Sequence, residues 1–443
     1  MSVVLWTNKL KECSSWDQAA SVSTELSELF SADMNNPQVS SLQNDILDNQ
    51  VNFEQEIESA DLFDGDWPGF VELAKSYLRF CKDVDPEDTV GSFDLYAQLM
   101  ASLQAAFASG KGNVLQDTVV KIGRIVVSLG LQIDRLSNDP NMLRTSYISS
   151  LLLKIFNTIR AEKVDRSVQG DEILSKKNII LYVATTLCRL YFKLDQPGSC
   201  ANVFSNIHTA NIEFSRYRMA QKVEFRYWLG RFYLTKNQLK DAYRHLSWSF
   251  KNCLAGAVRN KRAILIYLTP PSMLLGIMPS AEMLQFYGLY DLYGPLILAI
   301  RKADYGGYMN HMRQNEAWFL SHKLYLLLRS RSLVPLFRMC LFRLWKIQGQ
   351  PTTLSLEDIG IALKLSMASD KSGGIFVGGD ADQQQIECVC ISLISQGFIK
   401  ANIFPRNRAL RLKPAGAFPP LNELHKVGEY DDGLQGREKW MGQ

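Results

Sequence analysis

Asn260-Lys261-Arg262-Ala263-Ile264-Leu265-Ile266-Tyr267-Leu268-Thr269-Pro270-Pro271-Ser272-Met273-Leu274-Leu275-Gly276-Ile277-Met278-Pro279 decides how the rest of this 443-residue chain is read. A basic pair opens the run. The apolar stretch that follows is far too short to cross a bilayer, which takes about 20 apolar residues. Two prolines are expected to end it. Ile264 to Leu275 therefore reads as a buried core helix, and Lys261 and Arg262 as cations with a functional role.

Working upstream, Leu229-Gly230-x-x-Tyr233 is followed by Ala242 and Leu246. Counted from the glycine, the tyrosine lies three on, the alanine twelve and the large apolar residue sixteen. That is the internal spacing of a tetratricopeptide-like helix pair, in which small residues let two antiparallel helices approach. A degenerate copy, Cys188, Tyr191, Cys200 and Phe204, occupies the same relative places earlier in the chain. Such hairpins cannot bury their apolar faces alone and stack into a solenoid. Further upstream, Phe70, Leu73, Ala74, Tyr77, Leu78 and Cys81 keep helical spacing. Helices are expected around Phe93–Ser109, Val114–Leu129, Ser146–Arg160 and Ile179–Leu194. Asp61–Pro68 is a turn-rich acidic break, and the polar stretch Ala161–Lys177 reads as a connecting loop. Residues 1–60 have weak apolar periodicity, which predicts helices without saying where they dock.

Working downstream, the pattern changes after Ile347. Pro335 opens a helix through Lys346. Ser355 with Asp358 makes a capping-box start for Leu356–Met367. A Gly-rich loop, Ser372–Asp380, precedes a third helix over about Asp382–Gln396, which Gly397 ends. Phe398–Phe404 and Ala409–Leu412 read as two strands around the turn Pro405-Arg406-Asn407-Arg408. Three helices and a β-hairpin make a winged helix. The fold expected is all-α, a TPR-like helical solenoid ending in a winged helix. The segments are 1–69, a variable helical or partly ordered start; 70–333, the solenoid; 334–413, the winged helix; and 414–443, a tail.

Composition fits a folded protein. With 47% hydrophobic and 21% charged residues, the chain can bury a large core. Met1–Trp6 lacks the pattern of a secretory signal. Cys13, Cys81, Cys188, Cys200, Cys253, Cys340, Cys388 and Cys390 are scattered with no C-x-x-C, which suits reduced thiols in a nuclear or cytosolic protein. The net charge of +4 conceals a strong polarity. Residues 1–110 hold 5 Lys/Arg against 19 Asp/Glu, whereas residues 211–346 hold 21 against 7. A basic field of that extent attracts phosphates or acidic proteins.

Enzyme chemistry finds no foothold. The Gly-rich loop lacks the Lys-Ser/Thr of a P-loop. Cys388 and Cys390 point to different faces of a helix. His208, His245, His311, His322 and His425 show no metal spacing and read as surface or capping residues. No G-x-S-x-G appears, and no cofactor is implied. The third helix has a buried stripe of Ile386, Val389, Cys390, Leu393 and Ile394. Its open face carries Gln384, Gln385, Glu387, Cys388, Ser392 and Ser395, with no cation to read base edges. The cations lie elsewhere: Lys400, Arg406, Arg408, Arg411 and Lys413 on strands and wing, and Arg329, Arg331, Arg338, Arg343 and Lys346 on the approach helices. Together with Lys261 and Arg262 they suit contact to a nucleic-acid backbone without base reading, and they suit an acidic protein equally. Phe398, Ile399, Ile403 and Phe404 are candidates for an apolar partner interface.

On these residues the chain resembles the PCI-domain family. The branch is the one containing the messenger-export subunit of the TREX-type transcription-and-export complex and its signalosome-associated cousin. The resemblance covers about Phe70 to Pro420. It is most specific over Val223–Pro279, in Tyr227-Trp228-Leu229-Gly230-Arg231, Ala242, Leu246 and Asn260–Pro279. Ala417-Phe418-Pro419-Pro420-Leu421 is similar to the family's closing segment. The Gly-rich loop is longer than the usual join, and residues 1–69 match no family pattern. The resemblance implies a non-catalytic scaffold in a hetero-oligomer; no membrane partner is expected, because no apolar segment is long enough to span one. Its partners would be a second, large PCI-type scaffold subunit and a small acidic disordered protein shared with the proteasome lid. Paired winged helices would form a platform for RNA or DNA in the nucleus, near the nuclear pore. The alternative is an interaction scaffold of a signalosome-associated or splicing-linked complex, without an essential nucleic-acid contact.

Overall fold

In the computed structural model, residues 1–14, 19–49, 52–162, 175–210, 212–370, 382–421 and 441 are described. The Gly-rich loop Ser372–Asp380, most of the Ala161–Lys177 connection, His425 and nearly all of the tail beyond Leu421 lie outside them. The chain divides into two units: Met1–Trp228 with Gly433–Gln443, and Leu229–Asp432.

The first unit opens with α1 (Val3–Ser14), α2 (Ala19–Leu29), α3 (Pro37–Asp48) and α4 (Phe53–Ser59). Weak periodicity hides firm docking here. Trp6, Leu10, Leu26 and Phe30 are fully buried. The Trp6 ring stacks on Tyr77 at 5.3 Å, and its Nε1 donates to the Leu29 carbonyl at 3.0 Å. Phe30 meets Phe70 and Tyr77 edge to face. A few aromatic anchors, each burying a large area, replace the continuous stripe that a periodicity search looks for.

Then come α5 (Pro68–Asp83), α6 (Thr89–Ala108), α7 (Gln116–Leu136), α8 (Leu143–Ala161), α9 (Ile180–Lys193) and α10 (Cys200–Thr209). Successive helices pack on one another: α5 on α6, α6 on α7, α7 on α8, α8 on α9 and α9 on α10. All six periodic residues of α5 are buried. Cys188 of α9 and Cys200 of α10, the small positions of the degenerate repeat, are buried free thiols close enough to influence one another. That is the close helix approach their spacing predicts.

Helix α11 (Met219–Thr235) carries the chain from one unit into the other. The second unit continues with α12 (Leu239–Asn252), α13 (Val258–Leu274), α14 (Ala281–Phe286), α15 (Tyr290–Lys302), α16 (Tyr305–Gln314), α17 (Glu316–Ser321) and α18 (Tyr325–Arg331). The glycine repeat is realised between α11 and α12. A Cβ on Gly230 would come within 2.6 Å of Leu246 Cγ and 3.3 Å of the Ala242 carbonyl oxygen. Tyr233 lies stacked on His245 at 5.5 Å. His245 is therefore a buried core residue, which corrects its assignment to the surface.

The prolines of the deciding stretch do not end its helix. Pro270 and Pro271 lie inside α13, which continues to Leu274. Proline removes the N–H that the carbonyl four residues back would accept. The Ile266 carbonyl, which has no Pro270 donor, instead accepts from the Tyr293 hydroxyl of α15 at 2.7 Å. Ile264 to Leu275 is buried except Tyr267, which is half-buried. A tertiary hydrogen bond thus replaces the local one and lets the helix run on.

The winged helix follows in the order α19 (Leu333–Ile347), β1 (Thr353–Ser355), α20 (Leu356–Met367), α21 (Gln383–Ser395), β2 (Ala401–Phe404) and β3 (Ala409–Leu412). The antiparallel sheet has the order β1-β3-β2. The three-residue β1 has no sequence signal of its own; Leu354 joins the ladder because it pairs with Leu410. Ser355 caps α20 through the Glu357 N–H at 3.2 Å. Asp358 does not complete a capping box but accepts from Gln348 Nε2. The capping box belongs to α21, between Asp382 and Gln385. The end of α20 is tied to α16: Arg313 pairs with the buried Asp370 carboxylate at 2.8 Å, and the Tyr305 N–H donates to Ser366 Oγ at 3.2 Å. The fold is all-α, of the helical-repeat class with a terminal winged helix. No described helix is long and apolar enough to cross a membrane.

Candidate nucleic-acid and partner surface

Strand alternation sorts the residues of the winged-helix sheet. Leu354, Ala401, Leu410 and Leu412 are buried. The opposite parity carries Thr353, Asn402, Phe404, Arg411 and Lys413, all exposed. Arg411 sits on the central strand between Thr353 and Asn402. The ladder extends one step further, since the Lys413 N–H donates to the Lys400 carbonyl at 2.9 Å. Lys400 and Lys413 are thereby opposed across the hairpin, one step from Arg411. Like charges side by side repel, and no described carboxylate pairs with any of the three. Neighbouring Arg406 and Arg408 occupy the exposed wing turn, where Arg408 takes a left-handed φ of 47° and pairs with Glu357 at 3.2 Å.

Three of the expected site residues are not on the surface. Arg338 is 7% exposed. It donates through Nη2 to the Pro419 carbonyl at 2.8 Å and lies about 6 Å from the Phe342 and Phe418 ring centres. Burial draws its pKa below the ordinary arginine value. It therefore clamps the closing segment onto α19 and cannot reach a phosphate. Phe418 completes that clamp by packing on Phe342 and Trp345, each at 5.3 Å. Phe398 and Ile399 are likewise core, at 4% and 1% exposure. Gly397, with φ +76°, turns the chain back under α21, and both following N–H groups donate to the Leu393 carbonyl. Ile403 is half-buried, which leaves Phe404, at 42% exposure, as the open apolar residue of that group.

On the approach helices, Arg329, Arg331, Arg343 and Lys346 are exposed. Arg343 donates to the Arg301 carbonyl at 3.3 Å, which holds it against the end of α15. Lys346 rests over the Phe342 ring at 4.7 Å. Lys261 and Arg262 contact Phe250 and Tyr287. The open face of α21 carries no cation and includes Ile391 at 50% exposure, missed because it falls outside the buried stripe. On α20, Ile361 and Leu365 are 59% and 70% exposed, one turn apart.

This architecture, hairpins of helices closed by a winged helix, can be set beside known proteins. No family model matches the chain. A PCI domain-containing protein of Schizosaccharomyces pombe is 30% identical over 379 residues, covering 82% of this chain and 83% of its own length. This chain belongs to the PCI-domain family. Other relatives have similar reach. Nuclear mRNA export protein THP1 of Saccharomyces cerevisiae is 24% identical over 383 residues, with 80% and 84% covered. PCI domain-containing protein 2 of Danio rerio is 28% identical over 363 residues, with 81% and 86% covered.

Proposed function

We propose that this PCI protein is a non-catalytic scaffold subunit of a nuclear, transcription-coupled mRNA export complex. It pairs with a second PCI-type subunit and a small acidic disordered protein, and it contributes part of a surface for RNA or DNA near the nuclear pore. Similarity to THP1, named as a nuclear mRNA export protein, supports the export setting. The observation that carries the nucleic-acid part is the outer sheet face. Lys400, Arg411 and Lys413 crowd together there beside the wing arginines, and no described carboxylate pairs with the three. The open face of α21 has no cation for base edges, so contact is to the backbone and tolerant of sequence.

The test uses the full chain in complex with its PCI partner and the double variant Arg406→Glu, Arg408→Glu. We expect affinity for single-stranded RNA to fall alike for all sequences. The salt dependence should become shallower by about 0.7 in log K per decade of salt for each phosphate no longer neutralised. Unchanged binding at low salt removes the wing from the nucleic-acid surface. A second reading, an interaction scaffold of a signalosome-associated or splicing-linked complex, is favoured by the exposed Ile361, Leu365 and Ile391, which suit protein contact. Purification from native cells separates the two: export-scaffold and nuclear-pore proteins as partners support the first, and signalosome or splicing subunits support the second.

A further inference from the structure

Between Ala242 and Ala281 the chain has five Lys/Arg and no Asp or Glu. The structure packs part of this carboxylate-free stretch against three aromatic rings, two half-buried and one exposed. Phe250, near the end of α12, meets Tyr287 at 5.8 Å, and Tyr287 meets Phe286 at 4.9 Å, nearly perpendicular. Phe286 ends α14 and is 71% exposed, an unusual position for a ring of that size. Lys261 Nζ sits 4.9 Å from the Phe250 ring centre, and Arg262 Nε donates to the Tyr287 carbonyl at 3.0 Å. Both cations are therefore held against the aromatic group. Arg259 and Lys251 add exposed charge, and the acids nearest the rings in sequence are Glu282, four residues before Phe286, and Asp291, four residues after Tyr287. Helix stability does not explain these charges. Helix α13 begins without a side-chain cap or an acidic residue in its first turn, so its basic residues oppose the helix dipole.

We propose that the Phe250–Tyr287–Phe286 cluster with Lys261 and Arg262 is a contact for single-stranded nucleic acid, separate from the winged-helix sheet. A base stacks on Phe286 and the flanking phosphates meet the cations. Interleaved cations and aromatic faces are the general means of binding single strands without sequence preference. An acidic peptide would satisfy the charges but brings no flat base for the open ring. The inference rests on the reading that the chain contacts nucleic acid, and it adds base stacking to the backbone contacts proposed for the sheet.

The experiment measures binding of the full chain at low salt to three probes of about 15 nucleotides: a thymidine strand, an abasic strand of equal charge, and a duplex. Phe286→Ala removes only an exposed ring. We expect it to weaken the thymidine strand roughly tenfold while leaving the abasic strand and the salt slope unchanged. Lys261→Glu with Arg262→Glu should weaken both strands and flatten the slope. Equal thymidine affinity of Phe286→Ala and the parent overturns the inference, as does an equal loss for the abasic strand. Loss of binding to an acidic phenylalanine-containing peptide, with thymidine binding intact, assigns the patch to a protein partner and also overturns it. A Phe286 effect alongside normal binding by the Arg406/Arg408 variant upholds this patch and removes the wing, and the converse removes this patch alone. No binding of any probe by the parent overturns both readings.

Discussion

Cysteine 388 and its neighbour two residues on show how much one helical step decides. Cys388 is exposed and Cys390 is 1% exposed, as their i, i+2 spacing requires. Burial first, and the charge of Glu387 second, push the Cys390 thiol up to about 12. Burial raises Cys81 and Cys340 to about 12 as well. Among the described cysteines, only Cys388 should react rapidly with a maleimide at neutral pH, and Cys388→Ser should abolish the fast phase of labelling. The raised thiols also give a pH dependence with a definite sign. Their stabilisation is fully present below the unfolded thiol value of about 8.5 and is lost as pH rises toward 12, because the unfolded chain ionises first. Urea midpoints measured between pH 8 and pH 10 should therefore fall, and a rising midpoint would contradict the buried placement.

At the scale of the element, the α11–α12 hairpin is the tightest test of the repeat reading. Gly230 faces Leu246 and the Ala242 carbonyl with no room for a side chain. Gly230→Leu should cost at least the ~1–3 kcal/mol typical of overpacking and lower the melting temperature by several degrees. An unchanged melting temperature would deny the glycine its packing role. The hairpin is legible in the sequence because glycine, tyrosine, alanine and leucine at fixed offsets report a local approach of neighbouring helices. Helix α13 is only partly legible. Its continuation through Pro270 and Pro271 depends on a hydroxyl from α15, a partner no local window contains. The same holds for β1, which exists because Leu410 offers it a register.

For the molecule as a whole, the proposed scaffold role makes stability depend on partners. A ligand that binds only the folded chain stabilises it by mass action, by about 2.7 kcal/mol at a hundredfold excess over its Kd. Adding a PCI-type subunit or a small acidic protein should raise the melting temperature in a concentration-dependent way, with the acidic protein's effect reduced by salt. Calorimetry across a range of partner concentrations checks this. A melting temperature indifferent to every such partner argues against the scaffold assembly.

By itself the sequence determined the helical class, the repeat spacing, the three helices and hairpin of the winged helix and the division between acidic start and basic middle. These follow from periodicity, capping and composition, which act over a few residues or add along the chain. Only the tertiary structure decided which cations are available. Arg338 reads like its neighbours in sequence, yet the closing segment buries it beneath Phe418. Phe398 and Ile399 read as an exposed strand until Gly397 turns them under α21. Phe286, unremarked in sequence, becomes prominent because Phe250 and Tyr287 gather beside it. Exposure depends on what arrives from distant parts of the chain, and burial of one side chain by another tens of residues away leaves no local signature.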